Sequence, residues 1–333
     1  MIIYGLQQVK RFYTEKAVLD KVDLTIEKGK TYALVGENGT GKTTLLETLA
    51  LLEAPQEGTV FFESEKVDFE RDLTLLRQKI SFCMQRPVLF RLSVFDNIAY
   101  GLKVRGLKKE NIKEKVTSIS TVFGLSHLLA KKALSLSGGE AQKVALARSF
   151  VLETPIILLD EPTANLDEAS IRILEDLLSE VKEKGRTVVL ATHQLDSAFR
   201  LADAVITLKD GQVFPHSYQN FFSGEILQGE GLKTFRINED VLFIVLTDKL
   251  GKAKVSIDPK EIIISKEPLR SSARNCLRGR VLSIIDEGQK IKLSAHCGVR
   301  LVAQITYDSL RELGLNPGDE IFLTFKTSSI KIY

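Results

Sequence analysis

The pattern of apolar and polar positions divides this chain into two parts. Up to about residue 223, apolar runs of strand length alternate with helical patterns, which indicates α/β layering. From residue 233 onward the apolar positions come in short alternating runs, with one helical stretch at residues 307–313 that Gly314 ends. Many short strands with one short helix predict a small all-β barrel of the OB type.

The two parts meet in a loosely patterned stretch, FFSGEILQGEG, which we interpret as a linker. We expect an α/β domain over residues 1–223, a linker with the first strands of the appended region over 224–254, and a barrel over 255–333. A length of 333 residues agrees with about two domains. The predicted strands of the second part are residues 233–237, 241–246, 254–257, 261–265, 280–285, 290–295, 299–305 and 320–326.

Composition then limits the class of protein. A hydrophobic content of 44% and a charged content of 27% are ordinary for a globular protein, and a net charge of +3 gives no argument for a nucleic-acid partner. The apolar runs are far shorter than the roughly 18 residues of a membrane span, and the first residues lack the features of a secretory signal. Three scattered cysteines, Cys83, Cys276 and Cys297, fit a reducing compartment. We expect a cytoplasmic protein whose membrane role is peripheral.

A glycine-rich loop supplies the first candidate chemistry. Residues 36–43, GENGTGKT, match the phosphate-binding pattern GxxxxGK[ST] between an apolar run and an apolar helical pattern. In that context backbone N–H groups converge on a polyphosphate at a helix N-terminus. Lys42 would reach the β- and γ-phosphates, and the Thr43 hydroxyl would bind Mg²⁺, so we predict a nucleoside triphosphate site. Its predicted residues are Gly36, Glu37, Asn38, Gly39, Thr40, Gly41, Lys42, Thr43 and Thr44.

An acidic pair, Asp160 and Glu161, supplies the second candidate chemistry. Residues 156–159 are a continuous apolar run, typical of a strand buried on both faces, and Asp160 and Glu161 follow directly. Ligands bind at the carboxyl ends of such strands, and unpaired buried acids cost several kcal/mol. We therefore predict that Asp160 holds Mg²⁺ through water and that Glu161 accepts a proton from the attacking water.

The sequence LSGGE, residues 136–140, lies between these two motifs. Ser137 is placed to cap the helical pattern at residues 140–152, and taken alone the motif could be a simple N-cap with two glycines. Because a phosphate-binding loop precedes it and an acidic pair follows it, we interpret it as a second phosphate grip.

In this order the motifs resemble the ATP-binding subunit of an ABC transporter over residues 1–223. The resemblance implies that LSGGE is the family signature, with Ser137, Gly138 and Gly139 binding ATP, and that residues 156–162 form the Walker B strand. It also implies a D-loop in which Asp167 contacts ATP. Glu140 and the residues after it depart from the commoner glutamine-arginine pattern of the signature.

Three further site residues come from the resemblance alone. Gln85 corresponds to the Q-loop glutamine that joins Mg²⁺ to the transmembrane partner, and His193 to the switch histidine that contacts the γ-phosphate. Tyr13 corresponds to the aromatic side chain that stacks on adenine, and Phe12 is the alternative after a one-residue shift. The implied catalytic residues are thus Glu161 and His193.

The resemblance also implies cofactors and partners. The cofactors are ATP and Mg²⁺, bound in a head-to-tail homodimer in which Ser137 of one copy faces Lys42 of the other. Residues 91–132 would be a helical subdomain that docks a transmembrane permease at the cytoplasmic face of the membrane, with a substrate-binding protein as an indirect partner. No nucleic acid is expected.

The second part resembles the Mop/TOBE-like barrel of molybdate and tungstate importers over residues 255–333. The likeness rests on SARN, LRGRV, AQITYDSLRELGL and FKTSS. Thr306 would cap a helix, with Ser309 in its first turn, and Arg274 and Lys326 would supply positive charge to an oxyanion. The same residues could instead be a plain helix cap and solvated surface charges, and Asp308 would repel an anion unless it points away. The candidate oxyanion residues are Ser272, Ala273, Arg274, Thr306, Ser309 and Lys326.

Two other functions remain open at this level. The same machine could import sulfate, ferric ion, sugar or polyamine, since the cassette says nothing about cargo. A non-transport ABC ATPase of DNA repair or translation is disfavoured, because the sequence has neither a long coiled coil between the two phosphate motifs nor a second cassette. Binding of molybdate or tungstate by the barrel, with an effect on hydrolysis, would favour the ATPase of a molybdate or tungstate importer over both.

Overall fold

The structure is a computed structural model that describes residues 1–13, 17–215, 220–229, 231–286, 288 and 290–333. The chain separates into two compact units, Met1–His216 and Ser217–Tyr333. Each unit has its own apolar core.

The first unit alternates strands and helices along the chain. Its strands are β1 (Ile2–Phe12), β2 (Ala17–Glu27), β3 (Thr31–Val35), β4 (Glu57–Phe62), β5 (Glu65–Lys66), β6 (Ile80–Cys83), β7 (Ile156–Asp160), β8 (Thr187–Thr192), β9 (Ala204–Lys209) and β10 (Gln212–Pro215). Its helices are α1 (Lys42–Leu49), α2 (Thr74–Arg77), α3 (Val94–Val104), α4 (Lys109–Val122), α5 (Gly138–Phe150), α6 (Glu168–Glu183) and α7 (Leu195–Leu201), with short 3₁₀ turns at Ser126–Leu128 and Ala133–Ser135.

A six-stranded sheet, in the order β10-β9-β3-β8-β7-β6, forms the centre of this unit. Its neighbours are parallel except for β10, which is antiparallel to β9. Every residue of β3, β7 and β8 is buried, as continuous apolar strands require when both faces of the sheet are covered. The segments that follow β3, β6, β7 and β8 therefore gather at one edge of the sheet. The α/β class predicted for this part is confirmed.

Helix α1 is fixed between this sheet and a second, antiparallel sheet of order β2-β1-β4-β5. Leu45 and Leu49 of α1 share one apolar cluster with Tyr4 of β1 and Leu158 of β7. The Tyr4 hydroxyl also donates to the Leu49 carbonyl oxygen at 2.7 Å. Burial on two sides gives the loop that precedes α1 a rigid support.

The segment predicted as a helical subdomain, residues 91–132, contains α3 and α4. Ser93 caps α3 by accepting from the Asp96 backbone N–H at 3.0 Å, and α3 packs against α5. In the described part of the chain, the helices fall short of the length and apolarity that a membrane span requires.

The second unit is built from strands with one α-helix among its described residues. Its elements are β11 (Phe221–Leu227), β12 (Lys233–Arg236), β13 (Leu242–Val245), β14 (Gly251–Ile257), β15 (Ile263–Ser265), β16 (Asn275–Asp286), β17 (Ile291–His296), β18 (Arg300–Ile305), α8 (Tyr307–Leu313), β19 (Glu320–Phe325) and β20 (Ile330–Ile332). They form two antiparallel sheets, β13-β12-β11-β14-β20 and β15-β19-β16-β17-β18. Both sheets contribute to one core, in which the Phe243 and Phe325 rings meet edge to face at 5.2 Å. This arrangement is consistent with an OB-like barrel and confirms the predicted class.

The stretch interpreted as a linker is largely a strand. β11 lies in the middle of its sheet between β12 and β14, and Ile226 is buried in the core. Gly224 is needed because a Cβ there would collide with the Arg236 carbonyl oxygen on the next strand. Glycine here marks a close approach of two backbones.

Candidate active site

The loop between β3 and α1 has the shape of an anion cradle. Gly41 is the N-cap of α1 with a left-handed φ of 101°, and a Cβ at this position would lie 2.7 Å from the Val18 carbonyl oxygen, so only glycine fits. No side chain caps α1, which leaves its first N–H groups available to a ligand. Glu37, Asn38 and Gly39 are exposed at the tip of the loop. The remaining predicted residues are Gly36 and Thr40 in the loop and Lys42, Thr43 and Thr44 in the first turn of α1.

The Lys42 ammonium folds back over this cradle. Its Nζ donates to the carbonyl oxygens of Gly36 at 2.7 Å and Glu37 at 2.9 Å. Burial lowers the pKa of Lys42, and the nearby carboxylates of Glu161 and Asp160 oppose that shift. The ammonium therefore lies between the loop and the acidic end of β7.

Thr43 and Asp160 bring two oxygen donors together across the site. The Thr43 hydroxyl donates to Asp160 Oδ2 at 2.6 Å, although the two residues are 117 positions apart in the sequence. Asp160 is buried, and that burial raises its pKa, while the hydrogen bond from Thr43 acts in the opposite direction. Hydroxyl and carboxylate oxygens are the ligands that Mg²⁺ prefers, so this pair fits a magnesium ion.

Glu161 and His193 form a dyad beside that pair. The backbone of Glu161 has a left-handed φ of 47°, and its N–H donates to the Ala191 carbonyl oxygen at 2.9 Å. Its Oε1 accepts from the His193 backbone N–H at 3.0 Å and lies 2.9 Å from His193 Nδ1. The Glu161 side chain is 6% exposed and the His193 side chain 50% exposed. A strained backbone held in place around a buried carboxylate is typical of a catalytic position.

Gln85 lies at the same edge of the sheet. It follows β6 by two residues, and β6 is the parallel neighbour of β7, which ends at Asp160. The side chain of Gln85 is exposed. The sheet therefore gathers the phosphate loop, Asp160, Glu161, His193 and the start of the Gln85 segment at one edge.

The signature motif is a reciprocal helix cap. Ser137 Oγ accepts from the Glu140 backbone N–H at 3.3 Å, and Glu140 Oε2 accepts from the Ser137 backbone N–H at 2.7 Å. Hydrogen bonds to the Glu140 carboxylate from the Ser137 backbone N–H and from the Ser137 side chain lower the pKa of Glu140. Gly138 and Gly139 are the first two residues of α5. Within the described ranges, no hydrogen bond joins these residues to the phosphate loop.

Asp167 also caps a helix. Its Oδ1 accepts from the Ser170 backbone N–H at 2.8 Å at the start of α6, and hydrogen bonds from the Ser170 side chain and backbone lower the pKa of Asp167. Asn165, two residues earlier, has a left-handed φ of 60°. The Asp167 cap thus fixes the α6 end of the turn between β7 and α6.

Tyr13 presents an exposed ring beside α1. The Arg11 guanidinium carbon lies 5.3 Å from the centre of that ring, and the Tyr13 hydroxyl is 3.5 Å from Glu47 Oε2 on α1. Burial and the neighbouring Glu53 raise the pKa of Glu47. Sequence reasoning missed Arg11, although the two-residue period of a strand places it on the same face as Tyr13.

The six candidate oxyanion residues fall into two groups. Asn275 of β16 pairs with Phe325 of β19 in an antiparallel arrangement. Arg274, before Asn275, therefore lies opposite Lys326, after Phe325, at the start of β16. Ser272 and Ala273 directly precede Arg274. Thr306 follows Ile305, which pairs with Ile291, and Ile291 pairs with Asp286 at the other end of β16.

The second group is occupied by its own capping bonds. Thr306 Oγ1 accepts from the Ser309 backbone N–H at 3.1 Å and lies 2.9 Å from the Ser309 hydroxyl. The 12 residues of β16 separate this group from Arg274 and Lys326. One barrel therefore does not bring the six residues to a common point.

Comparisons with known proteins agree with this geometry. Residues 19–164 match the family model for the ABC transporter, and residues 271–332 match the TOBE domain. The molybdate/tungstate import ATP-binding protein WtpC of Pyrococcus abyssi (strain GE5 / Orsay) is 33% identical, over 98% of this chain and 99% of its own length. The tungstate uptake system ATP-binding protein TupC of Peptoclostridium acidaminophilum is 38% identical over 62% of this chain and 95% of its own.

A solved structure gives the same result for the first unit. The ATP-binding cassette MJ0796, in a dimeric post-hydrolysis state bound to ADP and phosphate, superposes with a TM-score of 0.60 at 31% identity. The match covers 63% of this chain and 96% of that one. The chain therefore belongs to the ABC transporter family of ATP-binding proteins, with an ABC ATPase cassette followed by a TOBE domain.

Proposed function

We propose that this protein is the ATP-hydrolysing subunit of an importer for a tetrahedral oxyanion, molybdate or tungstate. The observation that carries hydrolysis is the meeting of Thr43 with Asp160 beside the Glu161–His193 dyad. The cargo is inferred from the likeness to molybdate/tungstate import proteins, which extends through both units of the chain.

The cassette residues have distinct roles in this mechanism. The triphosphate binds to the N–H groups before α1, and Lys42 Nζ leaves the carbonyl oxygens of Gly36 and Glu37 for the phosphates. Mg²⁺, when bound, neutralises charge that develops on the phosphates. Thr43, Asp160 and Gln85 would hold it, since they offer oxygen ligands at one edge of the sheet.

Glu161 and His193 act on the nucleophile and the γ-phosphate. Contacts of Oε1 with the His193 backbone N–H and with His193 Nδ1 orient the buried Glu161 carboxylate. In this orientation the carboxylate can take a proton from the attacking water. The half-exposed His193 ring is placed to donate to the γ-phosphate while its Nδ1 stays beside Glu161. Phosphoryl transfer needs little more than this positioning and charge stabilisation.

The signature would act on the nucleotide of a second copy. The Ser137 hydroxyl accepts from the Glu140 N–H and hydrogen-bonds to the Glu140 carboxylate, so it would exchange the carboxylate for a phosphate oxygen when a second copy brings one. Two phosphate-binding helix N-termini in one chain serve two nucleotides best in a head-to-tail dimer. The dimeric state of MJ0796 supports this arrangement for the present chain.

A permease would dock on the exposed apolar surface beside the site. Large apolar side chains are solvent-exposed on and just before α3, which is unusual for a surface without a partner. They are Met84, Val88, Phe90, Leu92, Tyr100 and Val104. We infer that this surface meets a transmembrane subunit at the cytoplasmic face of the membrane.

The barrel would bind oxyanion between two copies. Arg274 and Lys326 at one end of β16, and Thr306 and Ser309 beyond the other end, could contact one anion only if two barrels pair. Such a site would sense cargo that has already entered the cell and reduce hydrolysis. A DNA-repair role remains disfavoured, since α4, with 14 residues, is the longest described helix between the phosphate loop and the signature.

Titration of the full-length protein with molybdate, tungstate and sulfate tests the cargo. We expect calorimetric binding of molybdate and tungstate, and suppression of ATPase activity by the same ions in the assembled transporter. Arg274→Ala should relieve that suppression without changing the basal rate. Stronger binding of sulfate, or binding of none of the three, would reject the proposed cargo and leave the ATPase assignment intact.

A further inference from the structure

The segment that carries Gln85 has little packing of its own. Residues 84–93 join β6 to α3 without regular secondary structure apart from a single bridge at Ser93. Their large side chains face solvent, with Val88 60% and Leu92 42% exposed. Apart from the Phe90 ring, which packs on the Tyr100 ring of α3 at 4.4 Å between centres, little apolar contact fixes the path of this segment, so polar contacts are important to it.

Arg148 of α5 holds the middle of the segment. Its Nη1 donates to the Val88 carbonyl oxygen at 2.9 Å, and its guanidinium carbon lies 5.7 Å from the centre of the Phe90 ring. Burial lowers the pKa of Arg148, and among the described residues no carboxylate comes within ion-pair distance of it. The carbonyl and the ring are therefore its compensating contacts.

Both ends of the segment are fixed by other groups. Cys83 is buried at the end of β6. At the far end, Asn97 Oδ1 accepts from the Phe90 N–H at 2.8 Å, and Asn97 Nδ2 donates to the Phe90 and Ser93 carbonyl oxygens at 3.2 and 2.9 Å. Arg148 thus contacts the segment between Gln85 and the Asn97 clamp.

We propose that Arg148 is a positioning residue for Gln85, tying the segment that carries it to the helix that begins at the signature. This rests on the proposed function, in which Gln85 contacts Mg²⁺ and the start of α5 contacts the nucleotide of a second copy. A shift of α5 when the dimer closes would then move Val88 and Phe90 and change the placement of Gln85. Arg148 joins the two motifs physically, although 63 positions separate it from Gln85.

The alternative is that Arg148 only stabilises the fold, and Arg105 gives a matched control for it. Arg105 is also a partly buried cation whose pKa is lowered by burial. It donates to the carbonyl oxygens of Gln78 at 2.6 Å and Leu152 at 3.4 Å, neither of which belongs to the 84–93 segment. Arg105→Met should therefore lower stability without loosening Gln85.

Hydrogen exchange of the nucleotide-free, full-length protein tests the contact without using activity. Arg148→Met should raise exchange of the hydrogen-bonded amides of Phe90 and Leu92 by about 10-fold or more, which corresponds to about 1.4 kcal/mol, while Arg105→Met leaves these amides unchanged. Unchanged exchange in Arg148→Met, or equal loosening in both variants, would overturn the proposal.

Kinetics then tests the effect on Gln85. Arg148→Met should lower kcat about 10-fold and raise the Mg²⁺ concentration needed for half-maximal rate, with ATP affinity changed less than about 2-fold, and Arg148→Lys should recover part of the loss. In a Gln85→Ala background the same change should have no further effect, because both act through one contact. Additive losses would overturn the proposal. Wild-type kinetics of Gln85→Ala would refute the proposed role of Gln85 itself, a failure distinct from that of the exchange experiment.

Discussion

Replacement of Glu161 by glutamine removes the proposed base with almost no change in shape. The amide keeps an oxygen where Oε1 accepts from the His193 backbone N–H, so the turn after β7 should remain folded. Glutamine has no basic carboxylate, and loss of a general base lowers the rate by at least about 10²-fold, which corresponds to about 2.7 kcal/mol of transition-state stabilisation.

Nucleotide binding should survive this change for an electrostatic reason. The Glu161 carboxylate helps to raise the pKa of the adjacent Asp160, so that removing its charge makes Asp160 easier to ionise. The loop of residues 36–41 and Lys42 are untouched. We expect ATP affinity within about 3-fold of wild type at saturating Mg²⁺, a range of about 0.7 kcal/mol.

Three assays test these expectations: single-turnover hydrolysis for the rate, equilibrium ATP binding for the affinity, and light scattering for the dimer. With hydrolysis blocked and binding intact, Glu161→Gln should accumulate as an ATP-bound dimer. Glu168→Gln is the matched control, because Glu168 lies in the exposed first turn of α6. This variant should hydrolyse ATP as the wild type does. Near-normal turnover of Glu161→Gln would refute the assignment of the base and make His193 the first alternative.

Two further predictions concern the neighbouring charges. Lys42→Ala removes a charge-assisted contact of roughly 1.5–3 kcal/mol, so ATP affinity should fall about 10- to 150-fold, and unchanged affinity in an equilibrium assay would contradict the phosphate-loop assignment. Asp160→Asn should raise the free energy of unfolding of the metal-free protein while abolishing Mg²⁺-dependent hydrolysis. Burial raises the pKa of Asp160 in the folded state, so the wild-type protein loses stability as pH rises above the usual aspartate value. The advantage of Asp160→Asn in denaturant titrations should therefore be present at neutral pH and disappear below about pH 4. A variant less stable than wild type at pH 7 would contradict this reasoning.

The sequence predicted those features that depend on local pattern. A continuous apolar run such as residues 156–159 can be buried on both faces only in a central strand, and parallel strands then bring their carboxyl ends together. The meeting of Thr43 with Asp160 agrees with that topology, because the loop before Thr43 leaves the carboxyl end of β3 and Asp160 ends β7, and both strands are buried and parallel. Pattern and connectivity were sufficient here.

The features that sequence missed depend on contacts between distant residues. Phe221–Leu227 was interpreted as part of a linker because its apolar pattern is loose, and the reason for its Gly224 lies on another strand. β16 begins at Asn275, five residues before the predicted strand at 280–285. In these extra residues the exposed Cys276 and Arg278 alternate with buried or half-buried neighbours, and the whole stretch pairs with β19, which is distant in sequence. The contact of Arg148 with Val88 spans 60 positions and has no local signal.

In the proposed mechanism, both candidate sites depend on a second copy of the chain. In the cassette, Ser137 is engaged with Glu140 in its own helix cap, and in the proposed mechanism its hydroxyl turns to a phosphate only when a second copy brings one. In the second unit, the basic and hydroxyl groups lie towards opposite ends of β16, so an anion that meets both kinds of group must bridge two barrels. If bound oxyanion favours an arrangement of two copies other than the closed ATP-bound one, each ligand must weaken the other by the same factor. A tenfold effect needs only about 1.4 kcal/mol of difference between the two arrangements, which one or two charge-assisted hydrogen bonds supply. Feedback of this size requires no change in the chemistry at Glu161, because it acts on the population of the closed dimer alone.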